Sequence, residues 1–346
     1  MMKRFVLAMV GAVILFSLAA KGATVEELKK GPVLLVTSEY TPYKDLVDPK
    51  LVALVKKYNI QICLCVREDQ LTDDLDNLYK VYEKNGIIIL FWPLLPKKDG
   101  LYVNKATAEK YISYLDVIYG WADKHSHKID AIVVDVEPGS SGFAKMLKDM
   151  DKKSWPEAVG KFNRIIAKIH SHNSLAIGVG FPFLSDDKAR GTHGWEDLFG
   201  GPVASVDWDY LAVMMYTTWF VETGKALGIN FDAAHWVAYD YSVDLKKLWG
   251  DKAAVAIGVT SAGEGNEKVV YDTPEKIAPA IAAVRQAGIQ NIGIYDMKGI
   301  LSSGDPEAWF KVLRDTPPAL PKKGKVAAKN FRNLVKAAGR MLEWMR

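Results

Sequence analysis

Cysteine is scarce in this chain: Cys63 and Cys65 are the only two among 346 residues. That count excludes a disulfide-built scaffold, and a chain of this length can bury enough surface to fold without one. Two apart on an apolar run, both point the same way, a geometry that strains a disulfide. They are expected as buried thiols, because no third metal ligand stands nearby. Histidine is sparse too, with six residues. His125 and His127 flank one helix end and His170 and His172 another, without metal-ligand spacing. No glycine-rich fingerprint follows the first β-rich run, where Ser38-Glu39-Tyr40-Thr41-Pro42 stands instead, so a dinucleotide-binding turn is not expected there. No cofactor or metal is expected from these patterns. Long polar low-complexity tracts are also missing. With 49% hydrophobic and 25% charged residues the chain is neither disordered, collagen-like nor a multi-span membrane protein.

The charge is unevenly spread. The net +4 includes +3 from residues 1–23 and +7 from residues 321–346, which leaves −6 for the body. A mildly acidic body argues against nucleic acid as its ligand. Residues 1–23 resemble an export signal: Lys3 and Arg4 precede the apolar run Phe5 to Ala20, and small residues follow. An exported protein, periplasmic or extracellular, is expected; a retained membrane anchor is the alternative.

Eight short apolar runs follow: Val33–Thr37, Ile60–Val66, Ile87–Pro93, Ile129–Glu137, Leu175–Phe183, Tyr210–Tyr216, Ala253–Thr260 and Ile292–Met297. Most are nearly continuous, as parallel strands covered on both faces should be. Between them lie stretches with three- and four-residue apolar spacing, clearest over Pro49–Tyr58, Thr72–Lys84, Lys105–Lys124, Ser154–Ser171, Thr273–Ala287 and Pro306–Leu313. Asp48, Thr72, Ser154 and Thr273 stand where N-caps belong, and Gly86 and Gly288 where helices should stop. Trp195–Phe199 suggests a short helix, and Ala233–Trp249 is ambiguous. Eight strand–connection units across residues 24–316 are the arithmetic of an α/β (β/α)8 TIM barrel, with a doubly wound open sheet as the alternative.

Beyond the barrel, residues 317–346 open with Pro317, Pro318 and Pro321, a stiff linker. Val326–Arg346 then shows an apolar stripe of Phe331, Leu334, Val335, Ala338, Met341, Leu342 and Met345, opposed by Lys329, Arg332, Lys336 and Arg340. A basic amphipathic helix over residues 325–346 suits contact with an anionic membrane surface or a cell-wall polymer. Docking on its own barrel is the competing expectation.

In a TIM barrel the reactive groups gather where the strands end. The fourth run ends in Asp135-Val136-Glu137, two acids spaced to share one strand face. If that face is the lumen, the like charges cannot both ionise easily, and one group keeps a proton at neutral pH. A general acid for a glycosidic oxygen needs that property. A pair of solvated acids, or a divalent-cation site, is the alternative. Aromatic residues suited to stacking on sugar rings end other runs: Trp92, Phe181, Trp219, Phe220 and Tyr295. Asp186-Asp187 and Lys152-Lys153 are expected as solvated loop charges.

The fourth run resembles the strand-four signature of chitinase-type (family 18) glycoside hydrolases, Asp-Gly-x-Asp-x-Asp-x-Glu. Asp130, Asp135 and Glu137 match its first and third Asp and its Glu, while Ala131 and Val133 replace the Gly and the middle Asp. Asp209-Tyr210, Met214 and Tyr216 are similar to the family's Asp-Tyr-x-x-x-Met-x-Tyr, with Thr217 following where an Asp is usual. Tyr295 stands on the eighth run where the family tends to place a Trp. The resemblance implies substrate-assisted hydrolysis of an N-acetylated polysaccharide of chitin or peptidoglycan type. Glu137 would protonate the leaving oxygen, Asp135 would hold the 2-acetamido group and Tyr216 would bond to it. Glu39, Tyr40, Trp92, Phe181, Met214, Trp219, Tyr295 and Asp296 are the expected substrate-binding residues. Val133 breaks the usual path of charge along the strand, so a sugar-binding barrel without turnover is the rival expectation. Asp135-Val-Glu137 is also similar to strand four of lysozyme-type (family 25) muramidases, though Ser38-Glu39-Tyr40 replaces that family's early Asp.

Overall fold

A computed structural model describes residues 28, 31–138, 142–261 and 268–346. The expected export signal lies outside the described residues. Eight parallel strands close in sequence order into a barrel: β1 (Leu34–Ser38), β2 (Gln61–Val66), β3 (Ile89–Pro93), β4 (Ala131–Asp135), β5 (Leu175–Gly180), β6 (Tyr210–Met215), β7 (Ala253–Gly258) and β8 (Asn291–Tyr295). Closure is direct, with Leu34, Leu35 and Val36 opposite Ile292, Gly293 and Ile294. An open doubly wound sheet is thereby excluded.

Each strand is near-continuously apolar because both of its faces are covered, but by different things. On β4, Ile132 and Val134 pack outward with Ile62, Leu64 and Phe91 beneath the helices. Ala131 and Val133 face the lumen with Cys63, Cys65 and Leu90. The two cysteines are therefore buried free thiols on the inner face, as their spacing predicted.

The principal return helices are α1 (Pro49–Lys57), α2 (Asp73–Lys84), α3 (Ala108–Lys124), α4 (Trp155–Ser171), α5 (Gly194–Leu198), α6 (Phe231–Trp249), α7 (Pro274–Gln286) and α8 (Pro306–Asp315). Asp48 caps α1 by accepting from the N–H groups of Lys50 and Leu51 at 2.9 and 3.0 Å. Thr72, Ser154 and Thr273 do precede helices, but their side chains form no capping bond. Gly86 and Gly288 take the left-handed φ of 71° and 90° that ends α2 and α7 without strain. The ambiguity over 233–249 has a physical cause. Helix α6 buries Ala233, Ala234, Trp236, Val237, Ala238, Tyr241 and Leu245, a face too wide for a clean amphipathic period.

That width serves a second partner, α9 (Lys325–Met345), which lies against α5 and α6. No described helix is long and apolar enough to cross a membrane. The expected stripe of α9 is only partly the buried one. Val335 and Leu342 pack inward, but so do Ala328, Gly339 and Arg332, while Leu334, Met341 and Met345 face solvent. Arg332, expected on the solvated face, bonds Asp186 and Asp244 at 3.4 and 2.5 Å with its guanidinium 3.4 Å from the Tyr241 ring centre. A buried carboxylate and an aromatic face outweigh the desolvation of one cation, and they turn the helix away from its most apolar side. Close approach needs glycine at both ends. A Cβ on Gly339 would meet the Trp195 indole nitrogen at 2.6 Å, and one on Gly324 the Ala233 backbone nitrogen at 2.4 Å.

Candidate active site

The carboxyl ends of the strands open into a cavity of about 340 Å³ that continues down the barrel axis. Strand β4 delivers the two acids to it. Beyond Asp135 the chain stays extended, because Val103 pairs with Val136: the Val103 N–H bonds to the Asp135 carbonyl, and the Glu137 N–H to the Val103 carbonyl. The period of two therefore persists, and Val133, Asp135 and Glu137 all line the cavity. Asp130, at the far end of the strand, lies outside the cavity lining and pairs with Lys128.

Asp135 is 4% exposed, and its Oδ1 has no hydrogen-bond partner among the described residues. Burial pushes its carboxyl well above the usual range, and the charges of Glu137 and Glu39 add to that. The Trp92 indole N–H tempers the rise without reaching hydrogen-bond geometry; it too is buried and unpartnered. Glu137 is half-buried, and burial followed by repulsion from Glu39 lifts it to about 7. The pair sheds its protons as a unit, so at neutral pH at least one proton stays on it. Two carboxyls of raised proton affinity thus face the cavity, a property a general acid requires.

Glu39 is the third acid of the cluster. It follows β1 directly, takes a hydrogen bond from the Tyr295 hydroxyl at 2.7 Å and pairs with Arg67 at 2.8 Å. Arg67 and Lys298 lie over the Tyr40 ring, 5.9 and 5.6 Å from its centre. Tyr216 and Tyr295 sit side by side with ring centres 5.6 Å apart. Burial raises the Tyr216 hydroxyl far above its ordinary range, and the neighbouring carboxylates add to the rise, so it remains a donor.

Trp92, Glu39, Tyr40, Phe181, Met214, Trp219 and Tyr295 all line the cavity together with Asp135, Glu137 and Tyr216. Two expectations fail. Asp296 is fully buried outside that lining, where it caps the helix Met297–Ser302 through the Gly299 N–H and accepts from Ser261 at 2.7 Å. Phe220 is fully buried in the outer core, because it and Trp219 lie on different sides of the short helix Thr217–Thr223. Thr217, which stands at the position of the usual Asp, is also buried and bonds to the Tyr271 hydroxyl at 2.6 Å.

Sequence reasoning missed Tyr102 and the role of Arg67. Tyr102 reaches the cavity from the β3–α3 connection, a loop with no periodic signal. Arg67 follows β2, and only the fold brings it onto Glu39. Asp186 and Asp187 are not solvated: both are buried, and Asp187 receives the Trp195 and Glu196 N–H groups at 2.7 and 3.0 Å. Among the described residues no group of His, Cys, Asp or Glu is arranged to hold a metal ion.

No family model and no curated protein matches the sequence. Solved structures do match the fold. The PgaB glycoside hydrolase domain of Bordetella bronchiseptica is 11% identical with a TM-score of 0.53, over 82% of this chain and 99% of that one. A GH18 chitinase from Pseudoalteromonas aurantia is 12% identical with a TM-score of 0.51 over the same shares. A class V chitinase from Pseudomonas fluorescens Pf-5 is 10% identical with a TM-score of 0.51, again over 82% and 99%. The chain thus has a TIM-barrel fold like that of family 18 and PgaB-type glycoside hydrolase domains, as the motifs on β4 and β6 implied.

Proposed function

We propose that the protein is a glycoside hydrolase acting on an N-acetylated polysaccharide, with Glu137 as general acid and the substrate's own amide as nucleophile. The observation that carries this reading is the pair on β4: a half-buried Glu137 held near pH 7 beside a buried, unpartnered Asp135. Glu137 gives its proton to the glycosidic oxygen as the bond to the anomeric carbon breaks. The 2-acetamido carbonyl oxygen attacks that carbon from the opposite face. Asp135 accepts from the amide N–H, which the unsatisfied Oδ1 suits, and Tyr216 donates to the amide oxygen. Trp92, Tyr40 and Trp219 offer flat faces to the sugar rings.

Val133 supports a second reading, a barrel that binds sugar without turnover. In place of the family's middle acid it leaves Asp135 no carboxylate beneath it with which to exchange a proton. Release of an aryl group from a di-N-acetylchitobioside, with the native chain and with Glu137→Gln, decides between them. Turnover that Glu137→Gln abolishes supports the hydrolase. Binding without turnover in either chain supports the second reading.

We also propose that α9 brings the protein to an anionic membrane surface. Its outer side exposes Leu334, Met341 and Trp344, the last 85% exposed, flanked by Lys329, Lys336 and Arg340. Export, as the sequence of residues 1–23 implies, accords with both proposals.

A further inference from the structure

TIM-barrel lumens are ordinarily filled by layers of branched side chains. Here the filling is incomplete. On β6 the outward Leu211, Val213 and Met215 are fully buried, whereas the inward Tyr210, Ala212 and Met214 are only half-buried. On β7 the inward Ala254 and Ala256 likewise exceed their outward neighbours in exposure. The register sets Ala212 beside Ala254, so with Ala256 two adjacent strands contribute a trough of small residues, while Leu35 lies over Gly293 on the next strand. Cys63, Leu90, Val133 and Ile177 form the facing wall.

The cavity is long as well as hollow. Val33, Leu35, Thr37 and Glu39 on and around β1 all border it. The six steps from Val33 to Glu39 at about 3.3 Å each, inclined at roughly 36° to the axis, give a depth of about 16 Å. Its volume, about 340 Å³, is more than twice the ~150 Å³ of an apolar cavity that takes up benzene. An acetyl methyl would occupy only its uppermost part.

Polarity is graded along this depth. At the mouth stand Glu39, Asp135, Glu137 and Tyr216, with Asp135 Oδ1 and Trp92 Nε1 still unpartnered. Below them the polar side chains are already satisfied within the protein. Thr37 donates to the Ile294 carbonyl and Tyr210 to that of Leu28. Asn291 accepts from the Val33 N–H and donates to the Asp251 and Ala253 carbonyls. Among the described residues, a polar ligand or water would find few partners left in the lower lumen. The space matches an amphiphile, with its polar head among the acids and a linear apolar tail along the axis.

We propose that the site takes an amino sugar whose nitrogen carries a fatty acyl chain longer than acetyl, the amide held at Asp135 and the chain lying in the lumen. This rests on the reading that Asp135 receives the substrate amide. Val133 then has a function of its own: an acid there would put a charge against the first methylenes of the chain.

Calorimetry on the full chain with N-octanoylglucosamine, N-acetylglucosamine and octanoate tests the assignment. The octanoyl sugar should bind at least 100-fold more tightly than the acetyl sugar, and also more tightly than octanoate. Ala256→Leu, which fills the trough, should cut the octanoyl advantage at least tenfold; Ala212→Val, a smaller addition, should cut it less. Equal affinity for the two sugars, equal affinity for octanoate, or an advantage that survives both variants would each overturn the proposal. Aryl glycosides of the same two sugars separate this from the hydrolase reading. Tight, Ala256-sensitive octanoyl binding without hydrolysis of either glycoside keeps the lumen assignment and removes the enzyme. Hydrolysis confined to the acetyl glycoside, with no octanoyl advantage in binding, does the reverse.

Discussion

Two groups of buried acids lie about this barrel, and they are treated in opposite ways. Along the seam with α9, Asp197, Asp186 and Glu196 each have a partner. Asp197 pairs with Lys105 and Arg346, Asp186 with Arg332, and Glu196 receives the Ala204 and Ser205 N–H groups at 2.6 and 3.1 Å. At the barrel mouth only Glu39 has such a partner, Arg67, while burial raises the proton affinity of Asp135 and Glu137, with Glu137 and Glu39 adding to the rise at Asp135 and Glu39 to that at Glu137. Burial alone therefore does not mark a reactive acid. What distinguishes the mouth acids is burial without neutralisation, which costs stability. The seam acids hold a helix in place; the mouth acids face an open cavity.

The largest way to break this comparison is at Glu137. Glu137→Gln should lower turnover of an aryl chitobioside at least 10³-fold, a loss on the order of 4 kcal/mol of transition-state stabilisation. Circular dichroism should show an unchanged fold. A seam substitution should do the converse. Arg332→Met strands the buried Asp186 and should cost about 3 kcal/mol in urea unfolding, with kcat for any substrate that is turned over unchanged.

A third prediction concerns pH. The folded-state pKa of Glu137 is raised to about 7, so its contribution is fully present below its unfolded value near 4.5 and is lost as pH rises through 7. Wild type and Glu137→Gln should be equally stable near pH 4, and the variant should gain about 2 kcal/mol by pH 8. Contact of Glu137 with the cavity screens part of the effect. Turnover should fall above pH 7 as the acid ionises. The smallest effect belongs to the outer side of α9. Leu334→Glu with Met341→Glu should change stability by less than about 0.5 kcal/mol yet release the chain from anionic vesicles in sedimentation. Unaltered sedimentation would remove the surface proposal.

How much of this was legible in the sequence follows from range. The eight strands and the cavity-facing pair on β4 were readable because parallel strands are apolar runs and a period of two is local. Glu39, Trp92 and Tyr216 could be assigned from the rule that strand ends converge. Asp296 could not, because the same rule does not say whether a strand-end residue turns inward or caps the next helix. Arg332 and Asp186 were misread for a related reason. A charge on a helix is ordinarily solvated, and only the tertiary meeting of α9 with α6 supplies the carboxylate and the Tyr241 ring that bury it. Tyr102, on an aperiodic loop, left no signal. The hollow lumen was equally hidden, since Ala212, Ala254 and Ala256 are unremarkable until the barrel closes and sets them together.

The central claim is that Glu137 still carries a proton near neutrality. Carbon-13 NMR titration of the glutamate side-chain carboxyls, with Glu137→Gln identifying the resonance, reads this directly. The account predicts a midpoint near 7 for that carboxyl; a midpoint near 4.5, as for a solvated glutamate, would contradict it.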